Sequence, residues 1–330
     1  MEIRVKSVPA MFSEMMIKIN MEGKKESSRN GDVLTIQEPL IVKVSDPTQR
    51  VLTDPVRQAN PYFHLMEVVW MFGGENKPDW IQLFNKRFKE YADANNQTQQ
   101  KLIHGAYGHR WMRHFNIEQI GTVANMLRND PNTRRAVIAM WDASQDLGTI
   151  HNDLPCNTHI YFRVVDGKLN MTVCNRSNDV VWGMTGANAV HMTCLQELVA
   201  LEAGLPIGDY IVFTNNAHFY TDLPNANELL NVRYPTLPST EGYGSYPHVP
   251  LLAKGERFID FYRDCCTLMD NDLTTYWSCD LKTEWFTRVA FPAYCAYMLR
   301  LSGSSGEGYI KQIEDYNWRT ACELWGVWKA

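Results

Sequence analysis

The pattern of apolar and polar positions divides the chain into recognisable elements. Residues 61–72 (PYFHLMEVVWMF) are apolar on nearly every side, which predicts a buried helix, and Gly73-Gly74 ends it. Residues 117–129 carry Ile120, Val123, Met126 and Leu127 at helical spacing, and Asp130-Pro131 stops that helix. Residues 135–141 (RAVIAMW) read as a strand. Two β-rich runs, 158–165 and 168–175, flank Asp166-Gly167, a dipeptide favoured in two-residue hairpin turns. Residues 188–203 (NAVHMTCLQELVALEA) predict a second buried helix closed by Gly204. Residues 209–216 (DYIVFTNN) read as another strand, running into Ala217-His218-Phe219-Tyr220. From about residue 230 the chain is rich in Tyr, Pro and Gly, and 281–330 turns helical and aromatic, with Trp285, Trp318, Trp325 and Trp328. This order predicts an α+β fold, a mixed and mostly antiparallel sheet with helices packed on it. No repeat or low-complexity linker interrupts it, so a single domain over residues 1–330 is expected.

Composition narrows the classes. Of the 330 residues 45% are hydrophobic, and 32 Lys+Arg stand against 37 Asp+Glu, a net charge of −5. A chain this apolar with so small a net charge is not disordered. No apolar run reaches the roughly 18 residues a membrane-spanning helix needs. Charges break up the apolar residues at the start, so no signal peptide is read and a cytoplasmic protein is expected. Mild acidity gives no overall attraction to nucleic acid, though a local anion site stays open. The eight cysteines are Cys156, Cys174, Cys194, Cys265, Cys266, Cys279, Cys295 and Cys322. They form no Cys-x-x-Cys and no Cys/His cluster with zinc spacing, so neither a metal nor a disulfide framework is expected.

Four stretches are too polar for the apolar elements they interrupt. They are Asn132-Thr133-Arg134-Arg135, Leu154-Pro155-Cys156-Asn157, Asn175-Arg176-Ser177-Asn178-Asp179, and Asn215 to Tyr220. Taken alone, Arg134-Arg135 would be a solvated pair and His218 a hydrogen-bonded structural histidine. Together they suggest a site. Arg134, Arg135, Arg176 and Ser177 suit a phosphate, because guanidinium forks match its oxygens and a hydroxyl adds a neutral donor. A cysteine near several arginines should have a lowered pKa and more thiolate.

With these motifs in view, residues 27–224 resemble the thymidylate synthase family, which includes the pyrimidine nucleotide hydroxymethylases. The resemblance rests on SSRNG, MEVVWMFGG, GAYGHRW, DPNTRRAVIAMW, LPCN, NRSNDVVWG and AHFY, in that order. It implies a homodimer through the sheet and a site shared by two subunits. It makes Cys156 the nucleophile that adds to C6 of a pyrimidine nucleotide. It makes Arg29, Arg176 and Ser177 phosphate ligands, with Arg134 and Arg135 reaching the phosphate of the other subunit. Glu67 and Tyr107 would move protons or order water near the ring, and His218 and Tyr220 would bind the sugar hydroxyl. Asp179, Gly183 and Phe88 would face the co-substrate, 5,10-methylenetetrahydrofolate. No metal is implied.

Departures from the family pattern bear on the product. Asn157 follows the nucleophile where the synthases have His, and Phe88 of FKEYAD stands where the family has Trp. The C-terminus lacks the short strand and closing tail that exclude water during hydride transfer, and ends WGVWKA after a helical stretch. Trapping of the methylene intermediate by water then gives a hydroxymethyl product, for modified phage DNA. Residues 225–330 are a divergent extension whose role the sequence leaves open. In the base-reading region (GMTGAN) an ungapped count lands on Ala187 and a one-residue insertion on Asn188. Asn188 would select uracil, hence dUMP. It could instead cap the helix that follows. No Asp suited to cytosine lies nearby. The resulting expectation is a dUMP 5-hydroxymethyltransferase, with thymidylate synthase and dCMP hydroxymethylase as alternatives. A Cys156/His218 hydrolase leaves three arginines unexplained, and a non-catalytic RNA-binding homologue conflicts with the intact Cys156 and Glu67 and with the net charge.

Overall fold

Strands whose side chains alternate between more and less buried positions over most of their length assemble a six-stranded sheet. A computed structural model of the chain describes residues 2–94, 100–231, 248–270 and 280–328; Cys279 and most of the Tyr/Pro/Gly-rich stretch lie outside the described residues. In spatial order the strands are Glu2–Val5, Leu40–Val44, Ile207–Thr214, Lys168–Asn175, Asn157–Val165 and Val137–Ala139. Three of the five pairings are antiparallel and two parallel, which makes the sheet mixed and mostly antiparallel. A second sheet runs Asn178–Asp179, Ala217–Tyr220, Gly31–Ile36, Lys24–Ser28. The hairpin expected at Asp166-Gly167 is present. Both residues have left-handed backbone, φ 49° and 75°, which matches the twist of the strands they join.

The strand expected over 135–141 is shorter. The amides of Met140 and Trp141 both donate to the Thr158 carbonyl, at 3.0 and 3.1 Å, and pairing stops there. The helix expected from 117 begins at Gln119, where Glu118 caps the amides of Ile120 and Gly121. The strand expected over 209–216 spans Ile207–Thr214.

The helices stack in layers away from the sheet. Val8–Glu22 and Ala187–Ala203 lie against its inner face. Pro61–Phe72 packs on Ala187–Ala203, and Phe258–Met269, Phe291–Leu301 and Tyr316–Trp328 cover its far side. Asn60 caps Pro61–Phe72 by accepting from the Phe63 amide, and every residue of that helix except Phe63 is buried. A helix apolar on all sides needs this double covering. It carries Glu67 into the middle of the molecule. One continuous hydrophobic cluster includes residues from Val8 to Cys322.

The C-terminal part docks through charge as well as apolar area. Trp325 packs edge-on to Tyr62, with ring centroids 5.4 Å apart. His248 bridges Glu197 (2.9 Å) and Asp315 (3.2 Å), and Glu197 also pairs with the buried guanidinium of Arg50. Burial works to raise the Glu197 pKa, but Arg50 and His248 outweigh it and hold the group at about 2. Burial works to lower that of His248, but Glu197 and Asp315 raise it to about 9. Among the described residues no helix is long and apolar enough to cross a membrane.

Candidate active site

Cys156 sits half-buried on the turn entering the Asn157–Val165 strand. Arg176 fixes that turn from the neighbouring strand. Its amide donates to the Cys156 carbonyl (2.9 Å), and its guanidinium donates to the Pro155 (3.0 Å) and Leu154 (3.1 Å) carbonyls. The guanidinium is exposed, so further donors stay open to an anion. The thiol differs from the sequence expectation. Burial pushes its pKa up; Arg176 pulls against this but does not prevail, and Asp153 and Asp179 push up as well. Desolvation of a thiolate outweighs one nearby guanidinium here.

Tyr107 approaches from the other side. Gly105 makes this possible, because a Cβ on it would lie 2.6 Å from Asp153 Oδ2 and 2.9 Å from the Pro155 nitrogen. The segment carrying Tyr107 therefore lies flat against the nucleophile's turn. The phenol faces the amides of Cys156 and Asn157, while burial pushes its pKa well above the ordinary tyrosine value.

Glu67, His191 and Asn188 form a connected line behind these residues. Glu67 Oε2 lies 3.6 Å from His191 Nδ1, and His191 Nε2 lies 3.0 Å from Asn188 Oδ1. The His191 ring meets Tyr107 edge-on at 5.9 Å. Burial, with the charge of Asp153 added, pushes the Glu67 pKa up to about 8, so the carboxyl is protonated at neutral pH. Burial pushes that of His191 down to about 3, so the imidazole is neutral. Asn188 is not the helix cap. That position is Gly186, and Asn188 lies within the first turn, half-buried, with its amide beside Gly183.

The small sheet delivers the remaining polar residues. Asp179 pairs with His218 in parallel register, and Tyr220 stacks edge-on to His218 at 5.2 Å. Asp179 Oδ1 accepts from the Val181 (2.7 Å) and Trp182 (3.0 Å) amides and so caps the π-helical turn Val180–Met184. Its Oδ2 makes no hydrogen bond among the described residues. Burial raises the Asp179 pKa against those amides and the charges of His218 and Arg57. A Cβ on Gly183 would lie 2.6 Å from Asn178 Oδ1 and 3.2 Å from Asn188 Nδ2.

Other predicted residues stand apart. Arg29 is exposed in the turn between Lys24–Ser28 and Gly31–Ile36. Arg134 and Arg135 are exposed ahead of Val137–Ala139. None of these three guanidiniums makes a hydrogen bond or ion pair among the described residues. Ser177 is half-buried beside Arg176. Phe88 packs edge-on to Phe63 (5.5 Å) and Trp70 (5.6 Å) and meets Tyr91 at 6.0 Å. The Tyr91 phenol in turn feels the charges of Asp153 and Asp179, which brings this segment to the edge of the site.

Four residues given no role in the sequence reading belong to the cluster. Asp153 bears on Glu67, Tyr107 and Cys156, and its only sequence signal is a carboxylate three residues before the nucleophile. His191 looked like one polar residue on an apolar helix. Arg57, buried, donates to the Val181 carbonyl (3.2 Å), faces Asp179 and lies 4.2 Å over the Trp182 ring. Asn178 stood in the polar run without a role. Glu67 Oε2, His191 Nδ1, Asn157 Nδ2 and Asn178 Oδ1 are all buried without a hydrogen-bond partner among the described residues. Such atoms gathered at one place point to a polar ligand or ordered water. No group of three or more His, Cys, Asp or Glu among the described residues is placed to hold a metal.

A family profile described as thymidylate synthase matches residues 10–241. A deoxyuridylate hydroxymethyltransferase of Pseudomonas phage M6 is 41% identical over 224 residues, which cover 68% of this chain and 62% of that protein. Proteins of the same name are 28% identical in Bacillus phage SP01 (64% and 57% covered) and 30% identical in Delftia phage PhiW-14 (60% and 56% covered). The chain thus spans about three fifths of the length of these relatives.

Proposed function

Because the chain belongs to the thymidylate synthase family, we propose that it is a 5-hydroxymethyltransferase acting on deoxyuridylate. The one-carbon donor is 5,10-methylenetetrahydrofolate, and water is the last nucleophile. The observation that carries this reading is the convergence of Cys156, Tyr107, Glu67 and Asp153 around one turn, with the buried unpaired atoms of Glu67, His191, Asn157 and Asn178 beside it.

C5 of uracil is a poor nucleophile. Addition of the Cys156 thiolate at C6 turns C5 into an enolate carbon that can accept the one-carbon unit. Arg176, Ser177 and Arg29 hold the phosphate. Arg134 and Arg135, without a partner among the described residues, reach the phosphate in the second subunit of a homodimer. Protonated Glu67 supports the O4 side of the ring through its neutral carboxyl. Asn188 reads uracil, its amide oriented by His191. His218 and Tyr220 bind the sugar hydroxyl. Asp179, with Oδ2 unused, together with Gly183 and Phe88, faces the folate. Loss of the C5 proton and of tetrahydrofolate leaves an exocyclic methylene on the base. Water adds to it, and expulsion of Cys156 restores the ring.

One feature favours water over hydride at the last step. The printed names of the phage relatives describe hydroxymethyl transfer. The test of the shared chemistry is release of tritium from [5-³H]dUMP. Release is expected only with both the folate and Cys156, and Cys156→Ser should lower it by at least about a thousandfold. Unchanged release from that variant would remove the covalent mechanism.

A further inference from the structure

We propose that Asp153 accepts the proton from the water that attacks the exocyclic methylene, and so commits the intermediate to a hydroxymethyl product. This rests on the reading above and adds a residue to it. Water adding to a methylene carbon must lose a proton as the C–O bond forms. The π electrons of the methylene move into the ring as an enolate, which then expels the Cys156 thiolate from C6. Water, the methylene adduct and one carboxylate therefore yield 5-hydroxymethyl-dUMP, free thiolate and a protonated carboxyl, whose proton later passes to solvent. No oxidant or reductant is involved.

Three carboxyl groups surround the nucleophile; Asp179 is engaged by the Val181 and Trp182 amides, and the surroundings of Glu67 and Asp153 separate the other two. Glu67 sits in a fully packed helix, and burial keeps its proton on, so it cannot receive one from water. Asp153 is half-buried on the nucleophile's own turn. Burial pushes its pKa up to about 6, with Asp93 adding to the rise, while the Gly105 amide, Arg110 and Arg176 hold it from going higher. Paired carboxyls pushed apart in this way take opposite roles, one acid and one base.

Position makes the same distinction. The turn 153–156 is pinned on one side by the three hydrogen bonds from Arg176 and on the other by the bare face of Gly105, with Asp153 Oδ2 directly over it. Cys156 bonds to C6, so C5 stands one bond further on and its new carbon two. Among Glu67, Tyr107 and Cys156, the groups that bracket this place, each feels the charge of Asp153. A carboxylate serving only to hold the Gly105 turn would not need to face all three.

The experiment is a single turnover with enzyme in excess over [5-³H]dUMP and methylenetetrahydrofolate. Tritium release reports every step up to loss of the C5 proton, and mass spectrometry follows the nucleotide. Wild type should release tritium and form 5-hydroxymethyl-dUMP. Asp153→Asn should release tritium within about threefold of wild type, yet form product at least ~100-fold more slowly, the scale of a lost general base. The nucleotide should remain on Cys156 as a covalent adduct carrying the extra carbon. Asp153→Glu should recover part of the product rate. In wild type, product formed per tritium released should rise with pH through about 6. Equal loss of tritium release and product in Asp153→Asn, or a flat pH partition in wild type, would overturn the proposal. Thymidylate from wild type would instead overturn the hydroxymethyl reading, and this proposal with it.

Discussion

At the scale of single residues, the site combines groups whose charge states are set by burial. Glu67 and His191 are both neutral because the packed helices around them exclude water. His191 then fixes the amide of Asn188, the residue we assign to reading uracil. Asn188→Asp should lower dUMP turnover by about 10⁴-fold and raise that of dCMP, because the wrong base leaves buried polar groups unpaired. Competition kinetics with the two nucleotides measure it, and an unchanged preference removes Asn188 from base reading. Cys156, Arg134, Arg135, Arg176 and the His218-Phe219-Tyr220 stretch stood out in the sequence because each interrupts an apolar run. Asp153 and His191 were not. A carboxylate on a turn and a histidine on a helix are ordinary in sequence, and only folding gives them their neighbours.

At the scale of elements, legibility followed the strength of the local signal. The helix at 61–72 is apolar throughout and capped at both ends, and its expected bounds coincide with Pro61–Phe72. The hairpin was marked by Asp166-Gly167, whose positive φ values suit Gly and tolerate Asp. Gly167→Val should destabilise the protein by about 1–2 kcal/mol, the cost of left-handed backbone for a side chain with Cβ. Urea denaturation reads this. Because the turn lies at the far end of the hairpin from Cys156, KM for dUMP should not change; a shift in KM without loss of stability would contradict this account. The strand at 135–141 was overcalled because two amides sharing the Thr158 carbonyl is a tertiary event that no residue pattern announces. The small sheet was likewise hidden. Its central strand Ala217–Tyr220 continues a large-sheet strand in sequence, yet pairs with Gly31–Ile36 far away.

At the scale of the whole molecule, the C-terminal third was the part least legible from the sequence. Its helices complete the covering of Pro61–Phe72, and His248 ties it to Glu197 and Arg50. We propose that the chain unfolds as one unit for this reason. Glu197→Gln leaves the Arg50 guanidinium buried without its counter-charge and should cost about 3–5 kcal/mol. The pH dependence follows from the two shifts. His248 is raised, so its contribution is complete below the free-histidine value of about 6.5 and fades as pH rises through about 9. Glu197 is lowered, so its contribution is complete above the free-glutamate value of about 4.3 and is lost as pH falls through about 2. Thermal unfolding should thus show a single transition with greatest stability from this cluster between those two free values. Two separate transitions, or a Glu197→Gln variant as stable as wild type, would contradict it.

The most direct measurement is the identity of the nucleotide formed from dUMP and methylenetetrahydrofolate, read by mass spectrometry alongside the state of the folate. The predicted result is 5-hydroxymethyl-dUMP with tetrahydrofolate. Thymidylate with dihydrofolate would contradict it.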